Sequence, residues 1–207
     1  MAKSTLPEKE LSTEEKIKAA ARIVFAQKGF AATRTRDIAE AAGINLALLN
    51  YYFRSKQKLF DGIMLEKLGE FFGKIGPIMM DASTTLETKV ESFVAHYTEM
   101  LIKNPELPLF VLSEIRTHPQ HFLEISPIHK ILGQSSFVAQ LKERRPEVNP
   151  IHFLMSMLGL TVFPFIAMPM MKTIASMDDA AYNALMEERK KLIPLWMNAI
   201  LDQKPTF

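Results

Sequence analysis

Residues 29–59 read GFAATRTRDIAEAAGINLALLNYYFRSKQKL, and this stretch decides the fold. Apolar residues recur at helical spacing over about 35–42 and again over about 45–52, with Gly43 as the break between them. A longer amphipathic segment over about 13–28 precedes them and should end at the first glycine of the quoted stretch. A supporting helix followed by two short helices around a tight turn predicts a helix-turn-helix.

Capping residues predict where these three helices begin. Ser12 stands three residues before a glutamate, which is the spacing of a capping box for the first helix. We expect Thr33, or else Thr35, to cap the second helix and Asn45 to cap the third. Each predicted helix start therefore has a side chain that can accept a hydrogen bond from its first turn.

The remainder of the chain also reads as helical. A fourth helix should begin at Ser55, run to about Lys74 and end before Gly76-Pro77, joining a head domain to a body as a shared helix. Further helices are predicted over about 86–103, 106–117, 120–145 with an interruption at Pro127, 150–172, and 178–202 with Pro194 inside it. No alternating strand pattern is long enough to defend, and we predict an all-α fold.

Composition excludes several classes of protein. The chain of 207 residues is 48% hydrophobic and 23% charged, which provides enough apolar material for a core and differs from a disordered chain. It contains no Cys, which excludes disulfide frameworks, thiolate zinc sites and cysteine nucleophiles. The first sixteen residues lack the apolar segment of a signal peptide. We therefore expect a cytoplasmic protein.

Charge is distributed unevenly along the chain. Residues 1–60 carry 11 Lys+Arg against 6 Asp+Glu, whereas residues 61–207 carry 14 against 17. A basic N-terminal quarter on a mildly acidic body favours a partner with phosphates, met by one end of the molecule. Chance segregation of surface charge is the alternative.

An uncharged apolar segment leaves a second interpretation open. Over 148–171 the only ionisable side chain is His152, and about 20 apolar residues suffice for a transmembrane helix. Pro150, Pro164 and Pro169 argue against a membrane span, and we expect a buried or dimer-interface helix. The alternative is a helical lipid- or hydrophobe-binding protein whose basic head touches anionic lipid.

The quoted stretch strongly resembles the DNA-binding head of TetR-type transcriptional regulators. The matching motifs are Gly-Phe at the end of the first helix, Arg-Asp-Ile-Ala, Ala-Gly-Ile, Tyr-Tyr-Phe and Ser-Lys-x-x-Leu. The resemblance implies a DNA-binding domain over 12–60 and a ligand-binding and dimerisation domain over 61–207. It also implies a homodimer through the helices at about 150–172 and 178–202. Ligand binding would change the spacing of the two heads and release a double-stranded DNA operator, usually ending repression.

The same resemblance supplies the residues expected at the DNA. The phosphate contacts would come from Arg34, Arg36, Tyr51 and Lys56, and the base contacts from Asn45, Leu46 and Asn50. Thr35, at the start of the second helix, and Ala47, Leu48 and Tyr52, on the recognition helix, complete the set.

Three of these positions depart from the family pattern. Leu46 stands where a polar residue is common, Leu48 where Thr is frequent, and Asn50 where Tyr is frequent. Asn can bond adenine at two atoms and Leu can contact the thymine methyl group, which predicts a half-site rich in A·T. The alternative is that Leu46 and Leu48 pack against the first helix and read nothing.

The body concentrates Met and Phe, which suit irregular apolar cavities as well as an ordinary core. Polar residues that interrupt the apolar stripes are candidates for a ligand pocket, together with their neighbours on the same helix faces. The candidates are His96, Tyr97, Met100, Phe110, Glu114, Met155 and Phe163, with Arg116 and Thr161 as further polar groups. A small, mostly apolar ligand with one or two polar groups is expected.

Neither a metal site nor an enzyme is predicted. The histidines at 118, 121, 129 and 152 do not have metal-ligand spacing on one helix. The sequence has no nucleophile elbow, no phosphate-binding Gly-rich loop and no HExxH motif. His96 and Glu114 would form an acid–base pair only if the fold brought them together. We expect no cofactor, and the expected partners are DNA, a small apolar ligand and a second copy, without a membrane.

Overall fold

The computed structural model describes residues 11–126 and 128–203, and every regular element in those ranges is a helix. The chain divides into two compact units, one up to Met64 and one from Leu65 onward. The all-α prediction is confirmed for the described residues.

The first unit consists of three helices and the beginning of a fourth. Their bounds are α1 Thr13–Ala32, α2 Thr35–Ala41, α3 Leu46–Tyr52 and α4 Lys56–Met80. The apolar faces of these helices enclose a small core that includes Ile17, Ala21, Phe25, Ile38, Leu49, Leu59, Phe60 and Ile63. Three aromatic rings pack together there, with centroid distances of 5.5 Å for Phe25–Phe60 and 4.7 Å for Phe30–Phe60. Burial of these side chains is the main force that holds such short helices together.

The end of α1 and the start of α2 differ from the prediction. Gly29 adopts φ 73°, as a residue ending a helix would, but the chain turns back into helical geometry and α1 reaches Ala32 after the kink. Thr33 does not cap α2, because its hydroxyl donates to the Gly29 carbonyl at 2.7 Å. Arg34 is the N-cap residue, and its N–H donates to the Asp37 carboxylate at 2.9 Å. The predicted threonine cap is therefore wrong, while the capping box at Ser12 and the cap at Asn45 are confirmed.

The fourth helix continues past its predicted end. Pro77 lies inside α4, which runs on to Met80. A proline removes one hydrogen bond and strains the preceding turn. The added turn buries Ile75 and Met79 almost completely in the core of the second unit. Burial of two large apolar side chains offsets the defect, at about 1.5–3 kcal/mol for each.

The second unit contains the rest of α4 and eight further helices among the described residues. Their bounds are α5 Leu86–Lys103, α6 Leu107–Thr117, α7 Pro119–Ile125, α8 Ile128–Gln134, α9 Ser136–Arg144, α10 Pro150–Ile166, α11 Met168–Ala175 and α12 Asp179–Asp202. α5 packs against α12 and α10 around a core that includes Val90, Val94, Phe137, Phe153, Met157, Ile193 and Met197.

Two predicted helices are divided in the structure. The segment predicted as one interrupted helix over 120–145 forms α7, α8 and α9, because Ser135 caps a new helix by accepting from the Val138 N–H. The segment predicted over 150–172 breaks at Ala167 into α10 and α11, which are bent by 63°. The bend also bears on the membrane interpretation. Among the described helices, none is alone long and apolar enough to cross a bilayer, and only the bent pair passes by length and composition.

Candidate nucleic-acid interface and ligand cavity

The third helix has one buried face and one open face. Leu49 is completely buried and fastens α3 to the first unit. Ala47, Leu48 and Asn50 are exposed, and Leu46 is half-buried. An α-helix of this size fits the major groove, and its exposed residues are those that would meet base edges. Leu48 is 36% exposed, so part of its side chain is accessible to a partner.

Asn45 is engaged by its own helix. Its Oδ1 accepts a hydrogen bond from the Leu48 N–H at 2.8 Å, which satisfies one free donor of the first turn. Its Oδ1 keeps a second lone pair and its NH₂ keeps both donors, but the capping bond fixes the direction of the side chain. Bidentate bonding to adenine would have to use this fixed orientation. The adenine contact is thus unconstrained at Asn50 and constrained in direction at Asn45.

The start of α2 presents two arginines. Arg34 and Arg36 are exposed, and Thr35 is half-buried. The Asp37 carboxylate lies there too, because it accepts from the Arg34 N–H and pairs with Lys28 at 3.3 Å. The hydrogen bond from the Arg34 N–H, with help from Lys28, holds the pKa of Asp37 below its usual value. One of the backbone donors expected to meet phosphate is therefore already used, whereas the two guanidinium groups remain exposed.

Two exposed aromatic side chains end the recognition helix. Tyr51 is 81% exposed and Tyr52 41%, and their rings meet edge to face with centroids 5.5 Å apart. Arg54, which follows in the next turn, is also exposed and was not among the residues expected at DNA. Its place in the Tyr-Tyr-Phe-Arg-Ser-Lys run could have indicated it, since a cation directly after the recognition helix faces the same partner.

Lys56, the predicted phosphate contact, directs its ammonium at the end of α1 in this structure. Its ammonium donates to the carbonyl oxygens of Phe30 at 2.6 Å and Thr33 at 2.8 Å, and it lies 4.3 Å from the centre of the Phe30 ring. Burial lowers its pKa, because the charged form loses water. With its donors directed at the end of α1, this lysine holds the turn that leads into Arg34 and Arg36.

The second unit contains an apolar cavity of about 340 Å³ that is partly open to solvent, since Ile151 and Met155 of its wall are more than half exposed. This volume lies at the lower end of the range for small-molecule sites, roughly 300–1,000 Å³. Side chains from α4 to α10 line it, among them Phe71, Phe72, Ile75, Met79, Phe93, Tyr97, Met100, Ile131, Phe137, Leu154, Met155 and Met157. The site can take a hydrocarbon-rich molecule.

The residues expected at a ligand fall in several places. Tyr97, Met100 and Met155 line the cavity. His96 lines a neighbouring polar cleft of about 120 Å³, to which Met100 also contributes. The remaining candidates lie outside both linings: Phe110 and Glu114 are buried, Phe163 and Arg116 are exposed, and the Thr161 hydroxyl donates to the Met157 carbonyl. Phe71, Phe93 and their neighbours were missed because nothing in sequence separates a cavity wall from a core.

The structure does not pair His96 with Glu114. His96 Nδ1 lies 2.7 Å from the Ser92 carbonyl oxygen, whereas the buried Glu114 carboxylate faces His118 at 3.3 Å and His121 at 3.9 Å. Among the described residues, no three His, Cys, Asp or Glu side chains are arranged to hold a metal ion.

The last long helix exposes an apolar stripe. Leu192, Leu195, Trp196 and Ile200 recur at three and four residues along one side of α12, and Leu195 is 63% exposed. α10 also exposes large apolar side chains, including Phe163 at 59%. Exposed apolar surface of this extent marks an interaction site more often than a free surface.

Comparisons with known proteins agree with this architecture. A family model described as "Bacterial regulatory proteins, tetR family" matches residues 17–63. YttP of Bacillus subtilis, described as an HTH-type transcriptional regulator, is 27% identical over 168 residues, which are 75% of this chain and 78% of YttP. The HTH-type transcriptional repressor KstR2 of Rhodococcus jostii is 35% identical over 105 residues, or 47% of this chain and 52% of KstR2.

The fold has solved counterparts as well. The TetR family regulator PfmR of Thermus thermophilus superposes with a TM-score of 0.67 at 17% identity, over 95% of this chain and 100% of that one. The predicted architecture, an N-terminal helix-turn-helix head followed by a larger helical body, is confirmed.

Proposed function

Because this chain belongs to the TetR family of transcriptional regulators, we propose that it is a repressor which leaves its operator when a mainly apolar small molecule binds. Its relatives are regulators and not enzymes, and KstR2 is described as a repressor. The observation that carries the proposal is the open face of α3, which sits on a buried Leu49 and is flanked by exposed arginines.

We assign the charged side chains to DNA phosphates and the amide and apolar side chains to bases. Arg34, Arg36 and Arg54 would bind phosphates, which provides salt-sensitive affinity for any duplex. Asn50 would read adenine, and Leu48 would contact a thymine methyl group. Thr35, Ala47, Tyr51 and Tyr52 would complete the interface through hydroxyl and van der Waals contacts, with Leu46 at its edge. Asn45 and Lys56 would act from within, by capping α3 and by holding the turn before α2.

A homodimer would present two heads to one operator. The exposed apolar stripe of α12 and the exposed residues of α10 support a twofold interface between bodies. A twofold dimer places its recognition helices about one DNA turn apart, roughly 34–36 Å, and reads a pseudo-palindrome.

Ligand control would run through α4. The cavity is lined by Leu68, Phe71 and Ile75 of this helix, and the same helix carries Lys56 and Leu59 at its beginning. A ligand that binds better to one position of α4 favours that position by its differential affinity alone. If the favoured position of α4 changes the distance between the two heads so that it no longer matches successive major grooves, DNA is released.

The division of labour at the DNA can be tested with two substitutions. Arg36→Ala should weaken binding to specific and random duplexes alike and reduce the salt dependence by about one phosphate contact. Asn50→Ala should change sequence preference at one base pair by about 1–3 kcal/mol. Fluorescence anisotropy over a salt series measures both effects, and equal losses on both duplexes for both variants would refute the assignment.

A further inference from the structure

We infer that the effector is an uncharged, largely hydrocarbon molecule with one hydrogen-bond acceptor, and that the Tyr97 hydroxyl recognises that acceptor. The inference rests on the proposed function, because it names the chemistry of the ligand in the same cavity. It follows from what the cavity wall offers and from what it lacks.

The cavity wall provides almost no polar group. Of the twenty lining residues within 11–126 and 128–203, nineteen are aliphatic, Phe or Met side chains, and the remaining one is Tyr97. Among these described residues, no Lys, Arg, His, Asp or Glu lines the cavity. A carboxylate or ammonium placed beside Tyr97 and Phe71, away from the exposed Ile151 and Met155, would lose its water without gaining a partner, which is among the largest penalties in protein interiors. This part of the wall therefore selects against charge of either sign.

Tyr97 is held so that its hydroxyl is available. Its ring lies 4.8 Å from that of Phe71 and 5.4 Å from that of Phe93, centre to centre. In the part of the chain that the structure describes, the hydroxyl has no hydrogen-bond partner. Although some of the side chain is accessible from the cavity, burial raises the pKa of the hydroxyl to about 12. It therefore stays protonated at neutral pH and can donate to a carbonyl, ester or ether oxygen.

A charged ligand would need the neighbouring cleft instead. That cleft is lined by Glu70, Lys74, His96, Glu99 and Lys103, and shares residues with the cavity wall. Its carboxylates already pair with other lysines, Glu70 with Lys67 at 3.0 Å and Glu99 with Lys190 at 3.4 Å. Both signs of charge are present and exposed there, which gives an anion little net attraction. Binding of a charged ligand in this cleft is therefore the competing outcome of the test.

The test compares three probes of one chain length on the purified full chain without DNA. The protein is first loaded with Nile red, a neutral dye whose fluorescence reports an apolar site. Methyl decanoate, decanoate or decylammonium is then added at neutral pH, and the concentration of each that displaces half of the dye is measured. We expect the ester to displace the dye at a concentration roughly tenfold or more below that of either ion, because burial of an unpaired charge is unfavourable. Tyr97→Phe keeps the ring but removes the hydroxyl, and should weaken binding of the ester by about threefold to tenfold.

A matched control separates the hydroxyl from general effects. Tyr182 is also buried, but its hydroxyl donates to the Pro164 carbonyl and it does not line the cavity. Tyr182→Phe should leave the displacement by all three probes unchanged. An ester whose affinity is the same in Tyr97→Phe and in the unmodified chain would overturn the role of Tyr97.

The comparison of decanoate with the ester tests whether the ligand is uncharged. Decanoate binding as tightly as the ester, with a loss in Lys103→Ala, would overturn the uncharged class and locate the ligand in the polar cleft. Failure of the proposed function would look different. An ester that binds with the expected preference, yet leaves operator binding unchanged in anisotropy, would refute DNA release while the ligand chemistry stands.

Discussion

A single ammonium group stabilises the turn that leads to Arg34 and Arg36, the arginines proposed to bind DNA phosphates. Carbonyl groups at the end of a helix lack partners and carry partial negative charge, and a cation there is favourable. Lys56 fulfils this role from the start of another helix, by donating to Phe30 and Thr33 and lying over the Phe30 ring. Partial burial of the ammonium among these groups lowers its pKa.

Replacement of this lysine tests its internal role. Lys56→Met keeps the apolar stem but removes the donors, and should lower the free energy of unfolding by about 1–3 kcal/mol, the typical contribution of hydrogen bonds to a charged group. Urea denaturation measures the change. Lys58→Met is the control, because Lys58 is an exposed lysine in the same helix turn. A lysine that served DNA alone would leave stability untouched and weaken only operator binding.

The Tyr97 hydroxyl predicts a dependence of stability on alkaline pH. Burial raises its pKa from 10.0 to about 12, so the folded state keeps this proton where the unfolded chain loses it. Its contribution is full below pH 10 and is lost as pH rises towards 12. Urea titrations at several pH values should show the free energy of unfolding falling across that window, and falling less in Tyr97→Phe. Equal slopes for the two proteins would contradict this reading.

At the scale of elements, the cap of α3 allows two roles of Asn45 to be distinguished, namely stabilising the helix and contacting a base. Asn45→Ala removes the acceptor for the Leu48 N–H and should cost about 1 kcal/mol of stability. Asn45→Ser restores a capping oxygen without the amide. We therefore expect Ser to recover stability and operator preference together, measured by denaturation and by anisotropy. Recovered stability with a changed sequence preference would mean that the Asn45 amide reads a base.

The helices that sequence predicted well are those with a cap at one end and a clear apolar stripe. α5 matches its predicted span at both ends, and α12 begins after Asp178, which accepts from the Ala181 N–H. Local signals decide such helices, because the cap and the stripe both lie within the segment itself.

Helices whose limits depend on tertiary packing were predicted less well. α4 passes Pro77 because Ile75 and Met79 pack into a core. The α10–α11 bend at Ala167 lies between Pro164 and Pro169, which in the sequence argued only against a membrane span and did not divide the predicted helix. The cavity could not be located for the same reason. Its wall draws on helices far apart in sequence, and Tyr97 was selected only as a polar residue within an apolar stripe.

At the scale of the whole molecule, the proposed homodimer would give the head its specificity. One head offers a single short α3, whereas two heads with fixed spacing read two half-sites at once. Leu195→Glu places a charge in the exposed apolar stripe of α12 and should shift the protein to monomers in analytical ultracentrifugation, with loss of tight operator binding. Leu123→Glu, at an exposed leucine of α7, is the control and should stay dimeric. Loss of the dimer in both variants would argue against an interface at α12.

The most direct test of the account is a selection of fragmented genomic DNA on the purified protein at moderate salt, followed by footprinting of the retained fragments. We expect discrete protected sites made of two half-sites in twofold symmetry, about one helical turn apart and rich in A·T where α3 would lie. Uniform retention that disappears with added salt would contradict it, because a basic surface alone binds every duplex in that way.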